Sequence, residues 1–246
     1  MWLSRSSSTG SVAAVLLGLL IAVPGGGHAD PAPPATDAAP AKTAATPPTN
    51  EELQADPARA LKTLLEGNQR FIEGRTIHPR QDPARIKAAA AGQKPFAIIV
   101  GCSDSRVPNE IIFDQGLGDL FIVRTAGQVS TYASWGSMEF ADVVLGARLI
   151  VVLGHTQCGA VAAAVKVPEV PGHIVTLINE IKPAALKVKG MPGDQVENAV
   201  VENVRMQVER LRNLEPVLAK GVREGTLKIV GAVYDLSDGK VRMVVE

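Results

Sequence analysis

The sequence predicts an α/β fold, a mostly parallel central β-sheet flanked by helices, with an N-terminal helical arm. Three observations carry this expectation. Continuous apolar runs of strand length recur along the chain, as at Phe96-Ala97-Ile98-Ile99-Val100-Gly101 and Leu149-Ile150-Val151-Val152-Leu153-Gly154. Such runs suit strands buried on both faces. Segments with apolar residues at helical spacing separate them, and strands alternating with helices imply a parallel sheet. A cluster of polar, ligand-type residues directly follows the first run and another follows the third; parallel sheets form their sites beyond the carboxyl ends of strands.

The first stretch of the 246-residue chain stands apart from that pattern. Arg5 precedes an apolar run from Val12 to Val23, which Pro24 and the small-residue sequence Gly27-His28-Ala29 follow. This is the layout of a secretory signal peptide, residues 1–29, cleaved after Ala29. The alternative is an uncleaved anchor, but the run falls short of the ~20 residues that span a bilayer. A linker rich in Pro, Ala and Thr fills residues 30–49 and offers nothing large to bury. The folded domain is expected over residues 50–246, one domain's worth of chain. A secreted, periplasmic location is therefore expected, with no membrane association after signal cleavage.

Within the domain, Asp56-Pro57 supplies a capping carboxylate and a proline at the first helical position. Leu61, Leu64, Leu65, Phe71 and Ile72 continue a helix to about Gly74. Asp82-Pro83 opens a second, shorter helix that Lys94-Pro95 closes. The run ending at Gly101 is the first strand and Leu120-Phe121-Ile122-Val123 the second. Residues 130–145 read as a helix, the run ending at Gly154 as the third strand, and residues 157–165 as the helix after it. Helical spacing returns over 173–186 and 195–218. Leu227-Lys228-Ile229-Val230-Gly231-Ala232-Val233-Tyr234 is the fourth strand, and the turn Ser237-Asp238-Gly239 leads to a hairpin partner over 241–245.

Acidic and basic residues balance at 25 each, and no basic run carries interleaved aromatics. Nucleic-acid binding is not expected. Attention falls instead on Cys102-Ser103-Asp104-Ser105-Arg106 and His155-Thr156-Gln157-Cys158, which hold both cysteines of the protein. In an extended segment alternate side chains share a side, which would align Cys102, Asp104 and Arg106. A helix beginning near His155 would put His155 and Cys158 on one face. Two strand ends thus offer two thiolates, an imidazole and a carboxylate, a set suited to tetrahedral zinc. Cys102, His155 and Cys158 would leave one position free. Asp104 either fills it, closing the site, or pairs with Arg106 and leaves room for water. Zinc lowers the pKa of bound water to ~7, which generates hydroxide at neutral pH.

These residues resemble the beta-class carbonic anhydrases. The resemblance runs from about Leu61 to Val245. It is strongest at Cys102 to Pro108, Phe113-Asp114-Gln115-Gly116, Arg124-Thr125-Ala126-Gly127 and Gly154-His155-Thr156-Gln157-Cys158-Gly159. A C-x-D-x-R motif followed at this separation by G-H-x-x-C-G is a specific signal. The resemblance implies a beta carbonic anhydrase-like fold and Zn2+ held by Cys102, His155 and Cys158. It implies Asp104 and Arg106 as a catalytic dyad, and reversible hydration of carbon dioxide to bicarbonate and a proton through zinc-bound hydroxide. It further implies substrate contacts from Gln115 and the Gly159 backbone, with Phe121 and Phe140 lining the cleft from a neighbouring subunit. A homodimer or dimer-based higher oligomer is implied as well, with the 56–74 helix lying across its partner. Two departures stand out: Phe140 occupies a position more often tyrosine, and Ile99 occupies one where a subset with an inhibitory bicarbonate pocket carries tryptophan.

Two rival readings remain. Two cysteines in an exported protein invite a structural disulfide, which would make the chain a non-catalytic scaffold. The same zinc scaffold would also serve hydrolysis of carbonyl sulfide or carbon disulfide, since only the access route to the metal would differ.

Overall fold

A computed structural model of the chain describes residues 47–167 and 169–246. The expected signal peptide, and all of the expected linker but residues 47–49, lie outside the described residues. A five-stranded sheet organises the domain in the order β2-β1-β3-β4-β5. Its strands are β1 (Ala97–Cys102), β2 (Leu120–Thr125), β3 (Leu149–His155), β4 (Lys228–Tyr234) and β5 (Val241–Val245). The first four pair in parallel, and β5 joins β4 antiparallel as the terminal hairpin. Each apolar run expected to be a strand is one.

Side-chain alternation divides the interior into two layers. Ile98, Val100, Ile150 and Val152 face one core, with α5 (Tyr132–Val143), α6 (Gly159–Lys166), α7 (Ile174–Lys187) and α8 (Gln195–Arg212) packed over them. Ala97, Ile99, Leu149, Val151 and Leu153 face the other, under α1 (Asn50–Ala55), α2 (Pro57–Ile72) and α4 (Asn109–Ile112). Burial on both faces explains why these strands read as unbroken apolar runs. α8 lies unusually close to the sheet: a Cβ added at Gly231 would come within 2.6 Å of a Val204 methyl.

The N-terminal helices follow local rules. Asp56 caps α2 by accepting from the amides of Ala58 and Arg59, with Pro57 at the first helical position. α1 was not expected, because its six residues are too few to show a helical period. It is formed by a capping box between Thr49 and Glu52, so Thr49, expected in the linker, belongs to the fold. Asn50 and Gln54 then fasten α1 to the body. Asn50 Nδ2 donates to the Lys94 and Gly118 carbonyls, and Gln54 Nε2 to those of Pro95 and Leu145. The helix after Asp82 is α3 (Pro83–Ala89), shorter than the stretch to Pro95 allowed.

Two further boundaries need correction. The helix expected over 195–218 ends at Arg212 as α8, and a separate helix, α9 (Leu218–Arg223), begins only after the break at Asn213 to Val217. Pro216, in that gap, has no N–H to continue the helical ladder. The helix expected from Gln157 starts only at Gly159, because Gln157 adopts φ +56°, a left-handed conformation that an α-helix does not accommodate.

Candidate metal centre

Cys102 is the last residue of β1 and faces the α8 side of the sheet, 4% exposed. The following segment is not extended, as the alternation argument assumed. It turns, with the Val107 amide donating to the Asp104 carbonyl. Arg124 on β2 fastens this turn: its Nε donates to the Cys102 carbonyl at 2.8 Å and its Nη2 to the Asp104 carbonyl at 2.6 Å. Beyond β2 the chain makes a short 3-10 turn, Ala126–Gln128, from which the Gly127 amide donates to Cys102 Sγ at 3.2 Å.

His155 ends β3 and is fully buried. Its Nδ1 lies 2.9 Å from the Thr156 carbonyl. A carbonyl only accepts, so the ring proton belongs on Nδ1 and the Nε2 lone pair is free for a metal. Nε2 is buried and has no hydrogen-bond partner. Cys158 does not share a helix face with His155. It is the N-cap of α6, and the chain reaches it through the left-handed Gln157, whose amide donates to Glu197 on α8 at 2.8 Å. The strand end, turn and cap together place Cys102 Sγ, Cys158 Sγ and a His155 ring nitrogen within 4.8 Å of one another. Both thiols are free, so the disulfide reading does not describe this fold.

Electrostatics suit a cation at this point. The bond to Cys158, the neighbouring His155 ring and the Gly127 amide hold the Cys102 thiol well below its usual pKa, against the opposing effect of burial. The same bond to Cys102, burial and repulsion by the Cys102 thiolate push the Cys158 thiol up. A positive charge between the two sulfurs is what would let both ionise. Asp104 stands beside the cluster, its Oδ2 3.7 Å from His155 Nε2. Arg106 grips it by both oxygens, Nε to Oδ1 at 2.9 Å and Nη2 to Oδ2 at 2.8 Å, and adds its own amide at 3.0 Å. The Arg106 hydrogen bonds hold the Asp104 carboxyl far below the usual carboxylate range, so it stays ionised.

A sequence model of the family described as carbonic anhydrase matches residues 97–241. The chain belongs to the beta-carbonic anhydrase family. A carbonic anhydrase of Mycolicibacterium smegmatis is 42% identical over 192 residues, 76% of this chain and 93% of the relative. Carbonic anhydrase 2 of Mycobacterium tuberculosis is 43% identical over 189 residues, 75% of this chain and 91% of that one. Among solved structures, the beta-carbonic anhydrase CcaA matches with a TM-score of 0.60 at 27% identity, covering 76% of this chain and 100% of its own. A tetrameric beta-carbonic anhydrase of Sordaria macrospora matches with a TM-score of 0.61, over 75% of this chain and 96% of its own; at 23% identity it speaks for the fold alone.

Beta-carbonic anhydrases use zinc, and the donors here fit it. Two thiols and an imidazole are a zinc ligand set, and the orphaned Nε2 and the amide-supported sulfur point to a cation rather than to a packed core.

The other residues expected in a carbonic anhydrase site are distributed differently. Gly159 opens α6 directly after Cys158, and a Cβ added there would meet nothing within 4 Å. Gln115 is buried; its Nε2 donates to the Phe113 carbonyl, while its Oε1 has no partner. Phe121 pairs in register with Ile98, four positions before Cys102, and Phe140 is half exposed on α5. His78 and His173 are exposed, as expected of residues away from the site.

Sequence reasoning passed over three contributors: Arg124 as the fastener of the 102–104 turn, Glu197, and Asn203, whose Nδ2 donates to the Gly127 carbonyl at 3.0 Å. A signal for Asn203 was available. It interrupts the apolar face formed by Val196, Ala199, Val200, Val204, Val208 and Leu211 on α8, and a polar residue at a core position demands a partner.

Proposed function

We propose that this carbonic anhydrase is an exported enzyme that hydrates carbon dioxide reversibly to bicarbonate and a proton. Cys102, His155 and Cys158 are its zinc ligands, and Asp104 and Arg106 are its catalytic pair. The observation that carries this reading is the convergence of the three ligand atoms within 4.8 Å beside a carboxylate already held by arginine.

Zinc held here would supply a Lewis acid that lowers the pKa of bound water toward neutrality. The chain's own residues provide the rest. Asp104 Oδ2 would accept a hydrogen bond from the O–H of the attacking water and so orient the water's lone pair toward the carbon. With its basicity lowered by Arg106, Asp104 directs the nucleophile without carrying the proton away. Arg106 also occupies both carboxylate oxygens, which would keep Asp104 from joining Cys102, His155 and Cys158 as a fourth ligand. The Gly159 amide, unused at a helix start, suits an oxygen of the forming bicarbonate. Gln115, Phe121 and Phe140 are assigned to the substrate side, the two phenylalanines from a neighbouring copy.

Zinc content and stopped-flow carbon dioxide hydration, measured on one preparation, test the reading. One zinc per chain with fast hydration is expected. Zinc without hydration, together with turnover of carbonyl sulfide, would redirect it to that substrate. Absence of zinc with a Cys102–Cys158 disulfide would sink it.

Two parts of the proposal concern the whole protein. A homodimer, alone or within a larger assembly, is supported by Tyr132, Phe140, Val143 and Val144, large apolar side chains exposed in and just after α5. Sedimentation of Val143→Asp should show a shift to monomer, and an unchanged mass would remove α5 from the interface. Export to the periplasm rests on the N-terminal pattern alone; N-terminal sequencing of protein from the periplasmic fraction should begin at Asp30.

A further inference from the structure

We infer that Asn203 on α8 is a positioning residue for the metal centre: it holds the Gly127 carbonyl and thereby the orientation of the residue whose N–H, in the preceding peptide unit, is delivered to the Cys102 sulfur. The inference rests on the reading of Cys102 as a zinc ligand. Gly127 is buried at φ +71°, ψ 22°, a left-handed conformation. A Cβ at this residue would approach Ile181 Cδ1 to 2.6 Å. Glycine is therefore required twice over, by conformation and by space. With no side chain, Gly127 can make hydrogen bonds only through its own N–H and C=O. It makes two, one at each end: its carbonyl accepts from Asn203 Nδ2 at 3.0 Å, and its amide donates to Cys102 Sγ at 3.2 Å.

Asn203 is 1% exposed and sits on the apolar stripe of the longest helix described. Burying a carboxamide there costs stability unless the group is bonded, and its bond goes to the residue that touches the sulfur. Contrast Gln207, one turn later on the same helix, also buried. It accepts from the Ser130 hydroxyl, which in turn accepts from Trp135 Nε1. That chain of bonds runs to α5 and includes no ligand residue. Two buried amides of one helix thus hold different structures, and only one of them bears on the metal. A hydrogen bond to a ligand sulfur withdraws electron density from it and fixes its direction, which are the two ways that outer groups tune a metal site.

Asn203→Leu removes the donor at nearly constant volume, and Gln207→Leu is the matched control. In zinc-loaded protein, release of zinc to a chelator is expected to be about 10–100-fold faster in Asn203→Leu and unchanged in Gln207→Leu. In cobalt-substituted protein the sulfur-to-cobalt charge-transfer band should move to lower energy in Asn203→Leu alone, because an unbonded sulfur holds its electrons less tightly. Should Asn203→Leu not be recovered folded, Asn203→Ser, too short to span to Gly127, serves with the same expectations. Wild-type release and an unshifted band in a folded Asn203 variant would overturn the inference while leaving the zinc reading intact. Equal effects in both variants would also overturn it, by showing general loosening of α8. Failure of the wild-type chain to hold zinc would overturn the zinc reading and the inference together.

Discussion

At the scale of single residues, the centre separates holding from acting. Cys102, His155 and Cys158 form the cluster, while Asp104 stands beside it in the grip of Arg106. Asp104→Ala should therefore retain one zinc per chain and lose hydration activity by about 10²–10³-fold, the span for removing one positioned hydrogen-bonding group from the reacting centre. Metal analysis and stopped-flow rates on the same sample check it, and undiminished activity would take Asp104 out of the mechanism. These five residues were legible in the sequence because each is within a few positions of a strand end and the fold adds little to their grouping. The stated routes to convergence were less sound. Asp104 and Arg106 meet through a turn rather than along an extended strand, and Cys158 reaches the site as an N-cap. Asn203 and Glu197 were not legible as partners of the site, since their bonds to Gly127 and Gln157 span distant parts of the chain and depend on where α8 lands on the sheet.

At the scale of elements, two contacts hold segments that local sequence does not hold. Glu197 accepts from the amide of Gln157, the strained residue between two ligands. Glu197→Ala should release zinc to a chelator faster, by up to about 10-fold, whereas Glu197→Gln, which keeps an acceptor oxygen, should match wild type. Equal behaviour of the two variants would show that the bond does not matter to the turn. Asp114, just after α4, is buried. It accepts from Arg70 on α2 at 2.6 Å and from the amides of Ile77 and His78 at 3.1 and 3.0 Å. Burial pushes its carboxyl up, but the Arg70 and amide hydrogen bonds outweigh it and leave the pKa below its ordinary value. A carboxylate depressed in the folded state stabilises above its unfolded pKa, about 4, and loses that contribution as pH falls through the lower folded value. Asp114→Asn should cost about 1.5–3 kcal/mol at neutral pH, with the difference from wild type shrinking below about pH 4. Denaturant melts across pH would show it, and a pH-independent difference would count against the ionic contribution. Strands were readable because burial on both faces writes them as apolar runs. The α8–α9 break and the late start of α6 were not, because both segments keep helical spacing through residues whose backbone leaves the helix.

At the scale of the molecule, the parallel sense of the sheet followed from the alternation of strands and helices, and every strand expected is present, whereas the order β2-β1-β3-β4-β5 is given by the structure. What lay beyond the sequence was the set of long-range bonds that turn a sheet edge into a binding site. Because the ligands come from two strands, zinc should bind the folded chain in preference to the unfolded one and raise its stability, by about 2.7 kcal/mol when free zinc exceeds its dissociation constant 100-fold. Thermal melts with zinc and with a chelator test this, and coincident melts would show that the metal adds nothing to the fold. The adjacency of β1 and β3 has a further consequence. Their pairing puts Val100 opposite Val152 and Gly101 opposite Leu153, and a slip of one residue would turn Cys102 away from the α8 face altogether. The metal thus acts as a gauge of alignment. A chain whose central strands have joined one step out of place carries the same cysteines and histidine but has nowhere to seat the ion, so retained zinc certifies that the sheet was assembled in the correct register.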